Sequence, residues 1–225
     1  GKTTQEELKN YNKQRRWGVN EGNRHFYNKD SEYDYGEDKP FDWIRGTQVG
    51  GRSLIWGRQT YRWSDDDFEA NLRDGIAIDW PVRYKEIAPW YSYVENFIGV
   101  SGEALNLPHL PDSEFLPAME LNCVEKKLKR SIAKNYSDRI LTVGRVAHIT
   151  RGTKMGAGRG PCQYRNRCDR GCPYGSYFSS NSSTLPSAEK TGNLTIRPDS
   201  VVTEVLYDEK TQKSTGVRVV DTNTK

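Results

Sequence analysis

Apolar residues repeat at helical spacing in two segments of the chain. Between residues 84 and 98 they fall at every third or fourth position, and Gly99 follows as a candidate C-cap. A second apolar stripe predicts a helix over residues 118–135, where lysines and arginines in the C-terminal half suit the helix dipole. A polar pattern predicts a further helix over residues 2–16, and Ser64 before three aspartates predicts the N-cap of a short helix.

Short apolar or alternating runs predict strands in the second half of the chain. They lie at residues 139–149, 194–197, 201–207 and 216–220. Turn-forming residues at 208–210 join the last two strands. Residues 17–40 and 151–180 are rich in glycine and polar residues and predict long irregular segments. The fold class predicted from this pattern is α+β (mixed α/β).

The composition of the chain argues against several classes of protein. The chain has 225 residues and a formal net charge of +4. Its basic residues are scattered among acidic ones, so we expect no nucleic-acid partner. No apolar run approaches the 18 or so residues of a membrane span, and the first residues lack the apolar segment of a signal peptide. The compartment is unknown and stays open between cytoplasm and periplasm.

A glycine pair lies within residues 45–57. Gly50 and Gly51 let the backbone approach a ligand and expose N–H groups to it, but a tight turn explains the same pair. No GxGxxG or Walker A pattern is present in the 225 residues, so the chain lacks a recognisable pyrophosphate-binding helix start of its own.

Three cysteines form a second candidate site. Cys162, Cys168 and Cys172 are spaced C-x5-C-x3-C, and Cys123 stands alone on a predicted helix. This spacing does not match the paired C-x2-C of a zinc ribbon. Free structural thiols and, in an oxidising compartment, a disulfide remain open.

No residue of the chain is assigned as catalytic. The three histidines, His25, His109 and His148, match no catalytic motif. The run of aspartates at 65–67 is explained by helix capping rather than by a pair of catalytic carboxylates.

The segment VGGRSLIWG at residues 49–57, followed by Arg62-Trp63, resembles the flavin-proximal signature of glucose–methanol–choline (GMC) oxidoreductases. The segment looks like those of bacterial FAD-dependent sugar and gluconate dehydrogenases and of pyranose oxidases. Further resemblances follow in family order at residues 79–82, 88–91, 99–102, 179–186, 193–202 and 215–217.

The resemblance implies an FAD-dependent enzyme that oxidises a CH–OH group of a sugar, sugar acid or polyol by hydride transfer to flavin N5. Gly50, Gly51 and Ser53 would pack their backbone against FAD near the pyrophosphate and isoalloxazine. Val202 would hydrogen-bond adenine through its backbone. Ile55 stands where some members have a histidine that bonds covalently to flavin, so FAD is expected to be non-covalent.

The resemblance also implies the domain organisation of an internal GMC fragment with an incomplete Rossmann-like sheet. Residues 1–63 would be a flavin-covering segment of the FAD domain and 64–150 a mainly helical part of the substrate or cap region. Residues 151–192 would be a Cys/Gly/Arg-rich loop, and 193–225 an FAD-domain strand with a truncated β-meander. The GxGxxG unit is expected before Gly1 and the catalytic histidine beyond Lys225, so the fragment alone is expected to be inactive.

The cysteine spacing resembles that of bacterial FAD sugar dehydrogenases in which three thiolates hold a [3Fe–4S] cluster. Cys162, Cys168 and Cys172 would be its ligands, and Arg165, Arg167 and Arg170 would offset its charge and lower the thiol pKa values. An electron-transfer subunit would then be a partner. The competing hypotheses are a self-standing carbohydrate-binding module and a Cys-rich metal- or nucleic-acid-binding module.

Overall fold

In a computed structural model of the chain, the described residues are 6, 19–29, 35–39, 41, 43–152 and 158–224. They fall into two compact units, Gly1–Ser187 and Ala188–Lys225. The structure contains both helices and strands, which confirms the α+β class. Apart from Glu6, the helix predicted over residues 2–16 lies outside the described residues, as do parts of the loop predicted over 17–40.

Five α-helices occur in the described ranges. They are α1 (Asp65–Phe68), α2 (Ala70–Asp74), α3 (Tyr84–Ile98), α4 (Cys123–Asn135) and α5 (Thr184–Glu189). Short 3₁₀ helices cover Arg24–Phe26, Gly51–Leu54, Cys168–Arg170 and Ser180–Ser182.

The helix ends follow from local capping chemistry. The Asp67 carboxylate accepts the N–H of Ser64 at 2.8 Å, and the predicted cap of α1 is thereby confirmed. Gly99 ends α3 in the left-handed region with φ +76°, as predicted. Helix α4 begins at Cys123, five residues later than predicted, because the Asn122 side chain accepts the N–H groups of Val124 and Glu125.

A small three-stranded sheet organises the first unit. Strand β1 (Val100–Gly102) pairs in parallel with β2 (Leu116–Pro117) and antiparallel with β3 (Val146–Ala147). The buried core is Ile98, Val100 and Ala147, against which Trp56, Phe97, Phe115 and Phe178 pack. The strand predicted over residues 139–149 is therefore wrong in length, since only two of its residues are in β3.

The second unit contains one antiparallel hairpin. Strands β4 (Ser200–Asp208) and β5 (Lys213–Asp221) confirm the last two predicted strands and extend them. Asp208 stabilises the turn by accepting from the Lys210 N–H and the Thr211 hydroxyl, both at 2.9 Å. The strand predicted over 194–197 is wrong, because those residues are irregular. No helix in the described ranges has the length and apolar character needed to cross a membrane.

Candidate functional site

The glycine pair forms a tight turn with an open side. Gly50 and Gly51 have φ of +97° and +49°, and the 3₁₀ helix Gly51–Leu54 follows. A Cβ on Gly50 would lie 2.3 Å from Asn181 Oδ1, and the φ of +97° would strain any other residue there. A Cβ on Gly51 would meet only the Gly46 carbonyl, at 3.8 Å. The backbone at Gly51 is therefore accessible to a flat ligand.

Ser53 stabilises this turn through its side chain. Its hydroxyl donates to the Gly50 carbonyl at 2.6 Å and accepts the Ser180 N–H at 2.9 Å. Asn181 Nδ2 donates to the Val49 carbonyl at 3.0 Å. The turn is thus held on the segment that contains Ser180 and Asn181, and the Ser53 hydroxyl is used within this contact.

The three cysteines of the predicted cluster loop line one cavity of about 300 Å³. Cys162, Cys168 and Cys172 are half-buried, Cys123 is exposed, and none of the four forms a disulfide. The cavity is also lined by His148, Gln163, Arg165, Asn166, Arg167, Arg170, Gly171, Pro173, Tyr174 and Ser176. We call this cavity and its lining residues the cysteine pocket.

The walls of the cysteine pocket are tied to neighbouring segments by hydrogen bonds. The Cys162 N–H donates to the Ile149 carbonyl at 2.8 Å, and the Ile149 N–H donates to the Ser176 carbonyl at 2.9 Å. Asn20 Nδ2 donates to the Asp169 carboxylate at 2.6 Å, which connects the loop at residues 19–29 to the 3₁₀ helix Cys168–Arg170. The pocket is therefore assembled from segments far apart in sequence.

Two of the thiols have opposite pKa shifts. Burial raises the pKa of Cys168, and the neighbouring thiols Cys162 and Cys172 raise it further. Burial also acts against the Cys172 thiolate, but the Ser176 hydroxyl, whose Oγ lies 3.2 Å from the sulfur, and backbone N–H groups at 174, 176 and 177 outweigh it and lower the pKa. Cys172 is thus the thiol whose thiolate these residues favour.

The charges behind the pocket differ from those predicted. We expected Arg165, Arg167 and Arg170 to lower the thiol pKa values, but the cation that acts against the rise at Cys168 is Arg58. Burial together with the charges of Arg58 and Arg159 lowers the pKa of His148, which lines the pocket. Sequence reasoning missed Arg58 and Arg159, since nothing in their neighbours along the chain marks them as buried.

Arg159 supports the pocket from the side of Cys172. Its Nε donates to the Gly175 carbonyl at 2.7 Å, and Nη2 lies 3.5 Å from the Ser176 carbonyl. Burial lowers its pKa to about 10, and the Cys172 thiol acts in the opposite direction. No carboxylate of the described residues forms an ion pair with Arg159 or Arg58. Both arginines are held by backbone carbonyls instead.

The three thiols are not arranged to hold a single metal ion. Within the described ranges, no three His, Cys, Asp or Glu side chains are close enough together to hold one ion. A multi-iron cluster gives each thiolate its own iron, so its ligands can be further apart than those of a single ion. Three thiols around one cavity, with positive charge behind them, agree with an anionic thiolate-bound group.

Val202 lies in the second unit, on β4, where it faces Val219 of β5. A register shift follows directly between Val202 and Glu204, so the ladder is irregular there. An irregular ladder leaves backbone groups available to a ligand. The predicted role of Val202 in adenine binding stays a prediction.

The fold and site together describe an α+β chain in which a glycine turn with an open backbone is fixed next to a cysteine pocket. This chain belongs to the GMC oxidoreductase family, because the family model described as GMC oxidoreductase matches residues 35–225. The resemblance inferred from the motifs is thereby confirmed.

Two curated proteins are similar to the chain. It is 27% identical to the fructose dehydrogenase large subunit of Gluconobacter japonicus over 173 residues, which cover 72% of this chain and 29% of that protein. It is 33% identical to 2-methyl-1,2-propanediol dehydrogenase of Mycolicibacterium austroafricanum over 66 residues, which cover 28% of this chain and 12% of that protein. The chain thus spans less than a third of the length of these relatives.

Proposed function

We propose that this chain is part of an FAD-dependent oxidoreductase that oxidises a CH–OH group of a sugar, sugar acid or polyol. The observation that carries the proposal is the glycine turn, whose open backbone lies inside the matched family region. The names of the two relatives, a fructose dehydrogenase and a diol dehydrogenase, support a CH–OH donor. Family membership favours this function over a self-standing carbohydrate-binding, metal-binding or nucleic-acid-binding module.

In this proposal the backbone of Gly50, Gly51 and Ser53 contacts FAD, and Val202 binds the adenine. FAD, when bound, supplies the hydride acceptor. Ile55 has no nucleophilic atom, so the flavin is bound non-covalently. We assign no catalytic residue within the chain, and we expect the 225 residues alone to bind FAD weakly and to be inactive.

The test is to express the full-length gene product and to denature it. We expect a yellow protein that releases free, fluorescent FAD into the supernatant, and dye reduction with members of a panel of fructose, glucose, gluconate and 1,2-diols. A colourless protein without flavin would contradict the FAD proposal. Flavin that stays on the precipitated chain would contradict non-covalent binding, and turnover of none of the panel would contradict the donor class.

We further propose that Cys162, Cys168 and Cys172 hold a [3Fe–4S] cluster that passes electrons to a partner subunit. The three thiols around one cavity support the cluster, and the words "large subunit" in the name of one relative support the partner subunit. Iron and acid-labile sulfide are measured in anaerobically purified full-length protein. Cys162→Ser, Cys168→Ser and Cys172→Ser should each lose iron, whereas the exposed Cys123→Ser, the matched control, should keep it. Iron-free wild-type protein would contradict the cluster.

A further inference from the structure

Arg58 lies at the junction between the glycine turn and the segment that follows the cysteine pocket. It is only 4% exposed, and its backbone is in the left-handed region at φ +58°. Nη2 donates to the carbonyls of Ser53 and Leu54, at 3.0 and 3.3 Å, and Nη1 donates to the Trp56 carbonyl. One guanidinium therefore ties together the carbonyls at the end of the turn.

The same guanidinium also contacts the other side of the junction. Nε donates to the Phe178 carbonyl at 2.7 Å, and the guanidinium carbon lies 4.1 Å from the centre of the Tyr177 ring. The Tyr177 hydroxyl donates back to the Gly57 carbonyl at 3.2 Å. Residues 177 and 178 come directly after Ser176, which lines the cysteine pocket. Arg58 thus joins the two candidate sites across 120 residues of sequence.

These contacts use the fork geometry of arginine rather than its charge alone. Four hydrogen bonds of the side chain go to backbone carbonyls, and none goes to a carboxylate. A lysine has its three donors on one nitrogen, so it cannot reproduce bonds that leave from three separate guanidinium nitrogens. Arg58 is therefore specialised for holding two backbone segments in register.

We propose that Arg58 is a positioning residue that holds the glycine turn against the segment following the cysteine pocket, and so fixes the turn for flavin binding. The inference rests on the proposed function only in naming FAD as the ligand of the turn. The geometry of the turn itself is tested without any ligand.

The experiment compares Arg58→Lys with Arg62→Lys in the full-length protein. Arg62 is the matched control, because it is equally buried but bonds the Glu95, Tyr84 and Ser92 side chains instead of the turn. Hydrogen exchange of the apoprotein reports on the turn, whose amides at 51, 53, 55 and 56 are hydrogen-bonded. We expect Arg58→Lys, and not Arg62→Lys, to speed exchange at these amides.

FAD binding is the second readout. Arg58→Lys should weaken FAD binding about tenfold, the effect of losing one good charge-assisted hydrogen bond. It should also reduce the rise in melting temperature that saturating FAD produces. Arg62→Lys should lower the melting temperature while the FAD-dependent rise stays as in the wild type. Tyr177→Phe, which removes the hydroxyl with its bond to the Gly57 carbonyl and its contact with Arg58, should act like Arg58→Lys but more weakly.

Each outcome decides a separate question. Equal exchange at the turn in Arg58→Lys and Arg62→Lys would overturn the positioning role, whether or not FAD binds. Faster exchange with unchanged FAD affinity would overturn the claim that fixing the turn strengthens FAD binding. Wild-type protein without FAD would overturn the proposed function, whereas the exchange experiment would still decide the role of Arg58.

Discussion

Buried arginines organise two regions of this protein in different ways. Around helix α3 and the loop 103–112, Arg62 and Arg145 each bind a carboxylate, Glu95 and Asp112 respectively. Around the cysteine pocket, Arg58 and Arg159 bond to backbone carbonyls, and Arg159 also lies 3.4 Å from the Ser183 hydroxyl. We call the first region balanced and the second unbalanced, because only the first pairs its two buried arginines with carboxylates.

The balanced region has the properties of a structural support. Arg62 Nε contacts both oxygens of Glu95, at 3.0 and 3.2 Å, and Nη1 donates to the Tyr84 hydroxyl at 2.9 Å. The two side chains are 3% and 6% exposed. Burial acts to lower the pKa of Arg62, but Glu95 and Tyr84 outweigh it and raise the pKa. Each charge is thus satisfied within the region itself.

In the unbalanced region, the two arginines lie near titratable groups of the cysteine pocket. Their positive charge lies beside thiols, and the field of Arg58 and Arg159 helps to keep His148 neutral. The two regions therefore use arginine differently: Arg62 pairs with a carboxylate, whereas Arg58 and Arg159 hold backbone carbonyls.

The largest expected effect comes from breaking the balanced pair. Arg62→Met leaves the Glu95 carboxylate buried without its partner, so we expect a loss of about 3–5 kcal/mol in the free energy of unfolding. Denaturant unfolding of the full-length protein measures it. The double variant Arg62→Met/Glu95→Leu is the control and should recover most of the loss, because no buried charge remains. A single variant within about 1 kcal/mol of the wild type would contradict the structural role.

A smaller effect is expected in the unbalanced region. Arg159→Met removes bonds to the Gly175 and Ser176 carbonyls but leaves no carboxylate unpaired. We therefore expect a loss of about 1–3 kcal/mol, the cost of unsatisfied carbonyls. The same unfolding measurement should rank it below Arg62→Met. If Arg159→Met is the more damaging change, the distinction between the two regions is wrong.

Some helices and strands were predicted well from the sequence, and others were not. Helix α3 and hairpin β4–β5 were predicted well because periodicity and turn chemistry are local. The strand predicted over 139–149 was shortened because its partner β1 has only three residues and because the Arg145 side chain bonds the loop at 110–112. Such limits are set by distant segments, which one sequence does not reveal.

The sequence predicted only part of the candidate site, because the rest depends on contacts between distant segments. Glycines and cysteines mark the turn and the pocket by their spacing, and the structure places each group together. Arg58 and Arg62 are four residues apart and look alike in sequence. Only the fold distinguishes them, because it places Glu95 next to one and backbone carbonyls next to the other.

The ion pair between Arg145 and Asp112 makes the free energy of unfolding depend on pH. Burial acts to raise the pKa of Asp112, but the N–H groups of Asn106 and Leu105 and the charge of Arg145 outweigh it and lower the pKa. A lowered carboxyl pKa in the folded state stabilises the protein above the unfolded value of about 3.9. This stabilisation is lost as the pH falls through the folded pKa.

Unfolding of Asp112→Asn and the wild type across pH 2.5 to 7, roughly the range in which carboxyls titrate, measures this contribution. The variant should be less stable at neutral pH, and its difference from the wild type should shrink in acid. Asp138→Asn, at an exposed carboxyl, is the control and should change little. A difference that grows in acid would have the wrong sign.

The smallest effect is expected at an exposed pair that neither region contains. Arg218 Nε donates to Glu204 across the hairpin at 2.7 Å, but the side chains are 66% and 53% exposed. Water screens such a pair, so a double-mutant cycle with Arg218→Ala and Glu204→Ala should give an interaction energy below about 1 kcal/mol that falls with added salt. A larger, salt-independent value in the full-length protein would mean that other segments cover the hairpin. Burial, rather than the pairing itself, would then explain why this ion pair and Arg62–Glu95 differ in interaction energy.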